Sequence, residues 1–295
     1  MTRILGVHGV GNYRPGETAR QASDNLAAVW RDALGDRPDP ARAHGDRTCG
    51  GRPDDGRGHD LAVAYYAHLL RPAARHQGGP TGLDGLDAFE QHMVRDWLAE
   101  LLPRGGVPAG PGTWPLRQAV SWLARTRFPG RAGVEWFVAT FFREVATYLR
   151  EESGSVRGAV RDEVAAAIAA HRPEVVVAHS LGSVVAYEAL WAHPETPVEL
   201  LVTLGSPLAL PHAVFPRLDP APLGQRGGRP PGVRRWVNLA DPGDIVAVPP
   251  RGVGLQFDGV AVDEHTVIHA FDFHRVRNYL RAPRVREALL GLPHG

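Results

Sequence analysis

The sequence predicts an α/β fold, a mostly parallel sheet with helices on both faces. Three observations predict it. Apolar runs of strand length alternate along the chain with segments whose apolar residues recur at helical spacing. One run, Val175-Val176-Val177, is β-branched at consecutive positions, the texture of a strand buried on both faces. The 34 glycines and 26 prolines cluster between these runs, which marks a folded domain with long loops.

Taken in order, Ile4 to Val7 is a short apolar run closed by His8-Gly9-Val10-Gly11-Asn12, a buried strand entering a tight loop. Thr18 to Leu34 carries Ala19, Ala22, Leu26, Val29 and Ala33 at helical spacing. Residues 35–59 are rich in Gly, Pro, Asp and Arg and lack periodicity, so a flexible loop is expected there. Leu61 to Tyr66 is the second strand, and Asp84 to Leu102 reads as one helix. Val156 to Ala170 is an Ala-rich helix ended by Pro173, and Glu174 to Ala178 is the β-branched strand. A helix from Leu181 to Trp191 follows at once, then strands at Leu200 to Leu204 and Trp236 to Leu239. Residues 275–290 form a terminal helix bent or broken near Pro283.

Composition narrows the chemistry. The 33 basic and 32 acidic residues leave a net charge of +1, which gives no reason to expect nucleic acid or an anionic membrane as partner. Every basic residue is arginine, so Schiff-base chemistry and Ser–Lys dyads are excluded. Cys49 is the one cysteine, which rules out an intramolecular disulfide. The amino terminus lacks the apolar run of a signal peptide, and no segment reaches the roughly 18 apolar residues of a membrane span. A soluble cytoplasmic protein of one domain, residues 1–295, is the expectation. No histidine pair has partners at metal-ligand spacing, so neither metal nor cofactor is expected.

The most informative segment is Val177-Ala178-His179-Ser180-Leu181-Gly182-Ser183. A strand stops at a serine and a helix starts immediately. The chain reverses that sharply only with Ser180 in a strained conformation and small residues two before and two after it. Ala178 and Gly182 meet the need, and the turn pushes the Ser180 hydroxyl out at the carboxyl end of the sheet. It also places the Leu181 amide at a helix amino terminus facing the same space.

This segment resembles the G-x-S-x-G nucleophile elbow of the α/β-hydrolase superfamily, with Ala178 in place of the first glycine. The likeness extends to His8-Gly9-Val10-Gly11, which stands where that superfamily often has an HG-containing oxyanion loop, and to Gly205-Ser206-Pro207 after a strand. The resemblance implies an α/β-hydrolase fold, with the amides of Val10 and Leu181 as oxyanion donors. It also implies that His8 supports the loop, with Gly9, His179 and Gly182 as further supporting positions.

In that superfamily the triad runs serine, acid, histidine along the chain. The acid belongs in the turn after a later strand, where Asp241-Pro242-Gly243-Asp244 offers two carboxylates. Asp241, before a proline, reads as a turn former. Asp244 begins Asp-Ile-Val-Ala-Val-Pro, which resembles the acid-bearing Asp-x-Val-Pro segment of fungal-type lipases, and it is preferred. The base comes from His265, His269 or His274. His274 leads, because His-x4-Tyr-Leu before Pro283 resembles the C-terminal signature of bacterial lipase-like proteins; His269 is the alternative.

Between the second strand and the helix before the elbow, residues 67–150 form a helical insertion longer than a minimal hydrolase needs. Its aromatic part includes Trp114, Trp122, Phe128, Trp136, Phe137, Phe141 and Phe142, and reads equally as an apolar lid or as core. Val134, Val138, Phe141, Val145 and Leu149 share one helical face, with Trp136 and Phe137 off it. Together these features imply a serine esterase, lipase or thioesterase acting on a small-molecule or lipid-like acyl substrate. Acyl transfer or cyclisation by the same triad, and a non-catalytic binding protein on a hydrolase scaffold, are the alternatives.

Overall fold

The computed structural model describes residues 1–35, 59–71, 82–101, 120, 131–150, 154–268 and 274–290. Six strands form one sheet: β1 Arg3–Val7, β2 Asp60–Ala64, β3 Val175–His179, β4 Val198–Leu204, β5 Val233–Ala240 and β6 Val260–His265. Their spatial order is β2-β1-β3-β4-β5-β6, and every neighbouring pair is parallel. The helices are α1 Ala19–Leu34, α2 Ala88–Leu101, α3 Arg131–Leu149, α4 Gly154–His171, α5 Leu181–Ala192, α6 Gly252–Gln256, α7 Val276–Arg281 and α8 Pro283–Leu290. The α/β class and the parallel sheet are therefore as the sequence predicts.

Strand side chains alternate between two covered faces, which is why β3 is apolar at consecutive positions. Ile4, Val175, Val177, Leu200, Val202 and Val237 pack against Leu26 and Trp30 of α1 and Tyr279 and Leu280 of α7. On the other face Leu5, Val176, Ala178, Leu201 and Trp236 pack with residues of α2, α3, α4 and α5. α2 and α3 thus belong to the same core as the sheet. Val138, Phe141, Val145 and Leu149 of the predicted stripe are buried in it, while Trp136 is 56% exposed. Trp114, Trp122 and Phe128 lie outside the described residues, as does nearly all of the 35–59 loop, Cys49 included.

Element ends follow capping chemistry. Thr18 caps α1 reciprocally with Gln21, and Gly35 ends it in the left-handed region. The predicted helix from Asp84 to Leu102 is corrected to a short 3-10 turn, Leu83–Gly85, followed by α2. The break falls at Asp87, whose carboxylate accepts from the Glu90 amide while Glu90 accepts from the Asp87 amide, each at 2.9 Å. Those side-chain bonds start a helix and so interrupt one that would have run through. β6 lies at the sheet edge, partly buried along its length, and its Val-Ala-Val-Asp-Glu-His sequence carries no apolar run that would signal a strand. The terminal helix breaks between Arg281 and Pro283 as expected. No helix among the described residues is long and apolar enough to cross a membrane.

One buried charge ties three helices together. Glu188 of α5, fully buried, accepts from Tyr148 of α3 at 2.7 Å, from the Arg157 side chain of α4 at 2.9 Å, and from the Asp219 amide at 3.1 Å. Removing the carboxylate strands a guanidinium whose side chain is 19% exposed. Glu188→Ala is therefore expected to lower the unfolding free energy by about 3–5 kcal/mol, measured by urea titration at neutral pH.

Candidate active site

The order of the sheet creates the site. The connection after β1 leads to β2 on one side, whereas β3 flanks β1 on the other and its own connection leads away to β4. Between β1 and β3 the chain therefore parts in opposite directions beyond the carboxyl ends of the strands, and the crevice left there is where parallel α/β sheets place ligands.

Ser180 stands at that point, one residue past β3 and one before α5, with φ 56° and ψ −132°. A non-glycine residue held there stores about 1–3 kcal/mol of strain, so its surroundings must hold it. They do. The Ser180 amide donates to the Leu204 carbonyl at 3.0 Å, and the Ser183 hydroxyl donates to the Ser180 carbonyl at 2.6 Å while meeting Ser206 at 2.7 Å. Close packing demands glycine two residues on: a Cβ at Gly182 would lie 2.3 Å from the His8 carbonyl oxygen and 2.4 Å from that of Val7.

Ser180 Oγ lies 2.9 Å from His274 Nε2, and His274 Nδ1 lies 2.8 and 3.0 Å from the two oxygens of Asp244. A buried carboxylate at Nδ1 fixes the proton there, leaving Nε2 to accept from the serine hydroxyl. The Asp244 carboxylate also accepts from the Tyr279 hydroxyl at 2.7 Å and the Val246 amide at 2.9 Å. Burial alone would raise its pKa, but His274 and these donors outweigh burial and hold it below the usual carboxylate range. The structure thus brings Ser180, His274 and Asp244 into one chain. The Asp241 carboxylate instead accepts from the Gly243 and Ile268 amides at 2.7 and 2.5 Å, closing the turn. His265 sits in β6 and accepts from the Arg251 amide at 2.8 Å; His269 lies outside the described residues.

The loop after β1 is braced from below. His8 Nδ1 donates to the Gly9 carbonyl at 2.8 Å, and the Asn12 side-chain amide donates to the Gly9 and Val10 carbonyls at 2.9 and 3.1 Å. Carbonyl and N–H oppose each other across a trans peptide, so the Val10 amide points away from the donors that hold the Gly9 carbonyl. Gly9 itself presses on the elbow: a Cβ there would lie 2.6 Å from Ser180 Cβ. The second amide, that of Leu181, opens α5 and has no acceptor within that helix.

Two further imidazoles are buried and neutral. Desolvation pushes His8 down to about 4, where it stacks on Tyr66 with ring centroids 4.2 Å apart. Burial, aided by the neighbouring His274, pushes His179 down to about 3; its ring lies 4.8 Å from that of His274, and its Nε2 has no hydrogen-bond partner among the described residues.

The expectation of an outward-facing hydroxyl is corrected. Ser180 is at the carboxyl end of the sheet but fully buried. The side chains of α3 account for the aromatic wall, with Phe137 edge-on to the His274 ring at 5.1 Å and Phe141 at 6.5 Å. Groups that sequence reasoning passed over complete the site. Tyr279 was in view only as part of the His-x4-Tyr spacing, yet it holds Asp244. Gly205, φ 52°, makes room for the acid, since a Cβ there would lie 2.6 Å from Asp244 Oδ2. Among the described residues no cluster of three or more His, Cys, Asp or Glu is arranged to hold a metal ion.

No protein-family model, no curated protein and no solved structure matches this chain.

Two outcomes are expected. Tyr279→Phe removes a donor to Asp244 and the acceptor of the Asp241 amide, which bonds Tyr279 Oη at 2.9 Å. Chemical denaturation should show a loss of about 1–3 kcal/mol. The second concerns pH. Both buried imidazoles have folded pKa values below 6.5, so their contribution to stability is complete above pH 6.5 and is lost as pH falls toward 4 and 3. Each adds a slope of about 1.4 kcal/mol per pH unit in that window, and urea titrations across it should show a flatter fall for His179→Asn.

Proposed function

We propose that this protein is a serine hydrolase of α/β-hydrolase type, cleaving an ester or thioester of apolar acyl character through an acyl-enzyme. The observation that carries the reading is the continuous chain from Ser180 Oγ through His274 to the buried Asp244 carboxylate. Its position at the strand-to-helix turn where the parallel sheet divides supports the same reading.

In the proposed reaction, Ser180 Oγ attacks the acyl carbonyl carbon while His274 Nε2 takes the hydroxyl proton. Asp244 keeps the opposite ring proton on Nδ1 and stabilises the imidazolium that forms. The carbonyl electron pair moves onto oxygen, where the amides of Val10 and Leu181 receive it; each such donor is worth about 2.7–4 kcal/mol in the transition state. Collapse breaks the bond to the alkoxide or thiolate, which leaves with the proton from His274. Water then attacks the acyl-enzyme, giving a proton to His274, which passes it to Ser180 Oγ as the acyl–oxygen bond breaks and the acid leaves. The aromatic side chains of Phe137 and Phe141 beside His274 favour an apolar acyl group.

A fluorophosphonate probe tests this. Wild-type protein is expected to be labelled on Ser180 and Ser180→Ala to be inert. With p-nitrophenyl acyl esters, Asp244→Asn should lower kcat about 10⁴-fold, because the amide allows the wrong imidazole tautomer. A folded wild-type protein that takes no label and turns over no ester of any chain length would overturn the reading.

A further inference from the structure

One carboxylate near the site has no place in the chemistry above. Glu144, on α3 one turn from Phe141, accepts from the Gly11 amide through both oxygens, at 3.2 and 3.1 Å. Gly11 belongs to the loop that holds the Val10 amide, and its φ of 73° puts it in the left-handed region. The inner side of this loop is held by its own residues, His8 and Asn12, through the Gly9 and Val10 carbonyls. From other elements, Tyr66 donates to the His8 carbonyl at the base of the loop, and among the described residues Glu144 is the side chain that bonds the Gly11 amide at its far end. Neighbouring turns of α3 run past the same residue, since a Cβ at Gly11 would lie 3.8 Å from Trp136 and 4.0 Å from Thr140.

We propose that Glu144 is a positioning residue for the oxyanion loop: its carboxylate ties the Gly11 amide to α3 and so fixes the Val10 amide opposite Ser180. The inference rests on the hydrolase reading for its catalytic consequence, though the tie itself does not. A carboxylate accepting a backbone N–H makes a charge-assisted bond, roughly twice as strong as a neutral one, so the tie depends on ionisation. Desolvation raises Glu144 to about 7, against the Gly11 amide, Arg71 and Arg143, which pull it down. Among the described residues, the titratable and charged groups facing it are Arg71 and Tyr66 from the segment after β2 and Arg143 from α3. On the β1 loop, Arg14 pairs with Glu17, and Arg71 lies over the Tyr13 ring. Farther along α3, Arg150 pairs with Asp87 before α2, and Tyr148 bonds to Glu188 of α5, which Arg157 of α4 also holds. The tie is therefore strongest well above pH 7 and weakens as pH falls through it.

Hydrogen exchange of the peptide covering residues 9–13, corrected for intrinsic rate, reads the tie directly, and ester turnover reads its consequence. In wild type, exchange should quicken as pH drops from 8 to 6. Glu144→Ala should exchange fast at both pH values and lose about 10²-fold in kcat with KM little changed. Glu144→Gln, a neutral acceptor, should exchange at a rate between wild type at pH 8 and Glu144→Ala, recover part of the turnover and lose the pH dependence of exchange. Loop exchange in Glu144→Ala equal to wild type at pH 8, in a variant whose overall unfolding is unchanged, overturns the proposal whatever the ester assay shows. A loop that loosens in Glu144→Ala beside a wild type that neither turns over ester nor takes the fluorophosphonate label upholds the tie and overturns the hydrolase reading instead.

Discussion

The structure turns on how closely α5 is forced against the end of β1. A methyl group at Gly182 would sit inside the van der Waals shell of two backbone carbonyls, and one at Gly9 would collide with Ser180. These two contacts leave no room for a gentler turn after β3, so Ser180 is held at a positive φ that costs about 1–3 kcal/mol. The same compression makes the β1 loop and the start of α5 converge at Ser180. A looser junction would relieve the strain and lose the convergence. The hydroxyl pair Ser183–Ser206 and the Leu204 carbonyl, all inside the core, keep the turn from relaxing.

Around that turn the electrostatics follow burial. Asp244 is fully enclosed yet stays ionised, because two neighbouring donors and an imidazole replace the water it has lost. Among the described residues no carboxylate bonds to the ring of His8 or His179, and burial holds both neutral even though Asp244 is near enough to His179 to pull the other way. Three histidines within one crevice thus differ in role by their neighbours alone. Only His274 has an acid on one nitrogen and a hydroxyl on the other, which is the arrangement that moves a proton across the ring.

Which parts of this were legible in the sequence has a physical explanation. Strand β3, the elbow and α5 are local: consecutive β-branched residues, then small residues about a serine, specify a backbone path with little help from elsewhere. Asp244 and His274 could be named because the order and turn context of their segments narrowed the field, while the exclusion of Asp241 needed coordinates, since both aspartates share one turn. Edge strand β6 escaped because half-exposed residues need no apolar run. The break before α2 escaped because the capping pair Asp87 and Glu90 looks like ordinary helix surface. Gly205, Tyr66 and Glu144 act across 39, 58 and 133 residues of chain on Asp244, His8 and Gly11, and no periodicity encodes a contact of that span.

The reading of the aromatic segment as either lid or core sets up an opposition that α3 does not obey. Val138, Phe141, Val145 and Leu149 fill the core, so the helix cannot swing away as a detached flap without opening that core to water. Phe137 and Phe141 nevertheless meet the His274 ring, and Glu144 holds the loop opposite. A helix fixed by its buried stripe carries wall and loop anchor on adjacent turns, and its position sets both together. Access to Ser180, which is closed off here, must then come from small shifts of side chains on that helix or of the loop it holds, because the apolar face behind them is too well buried to move far.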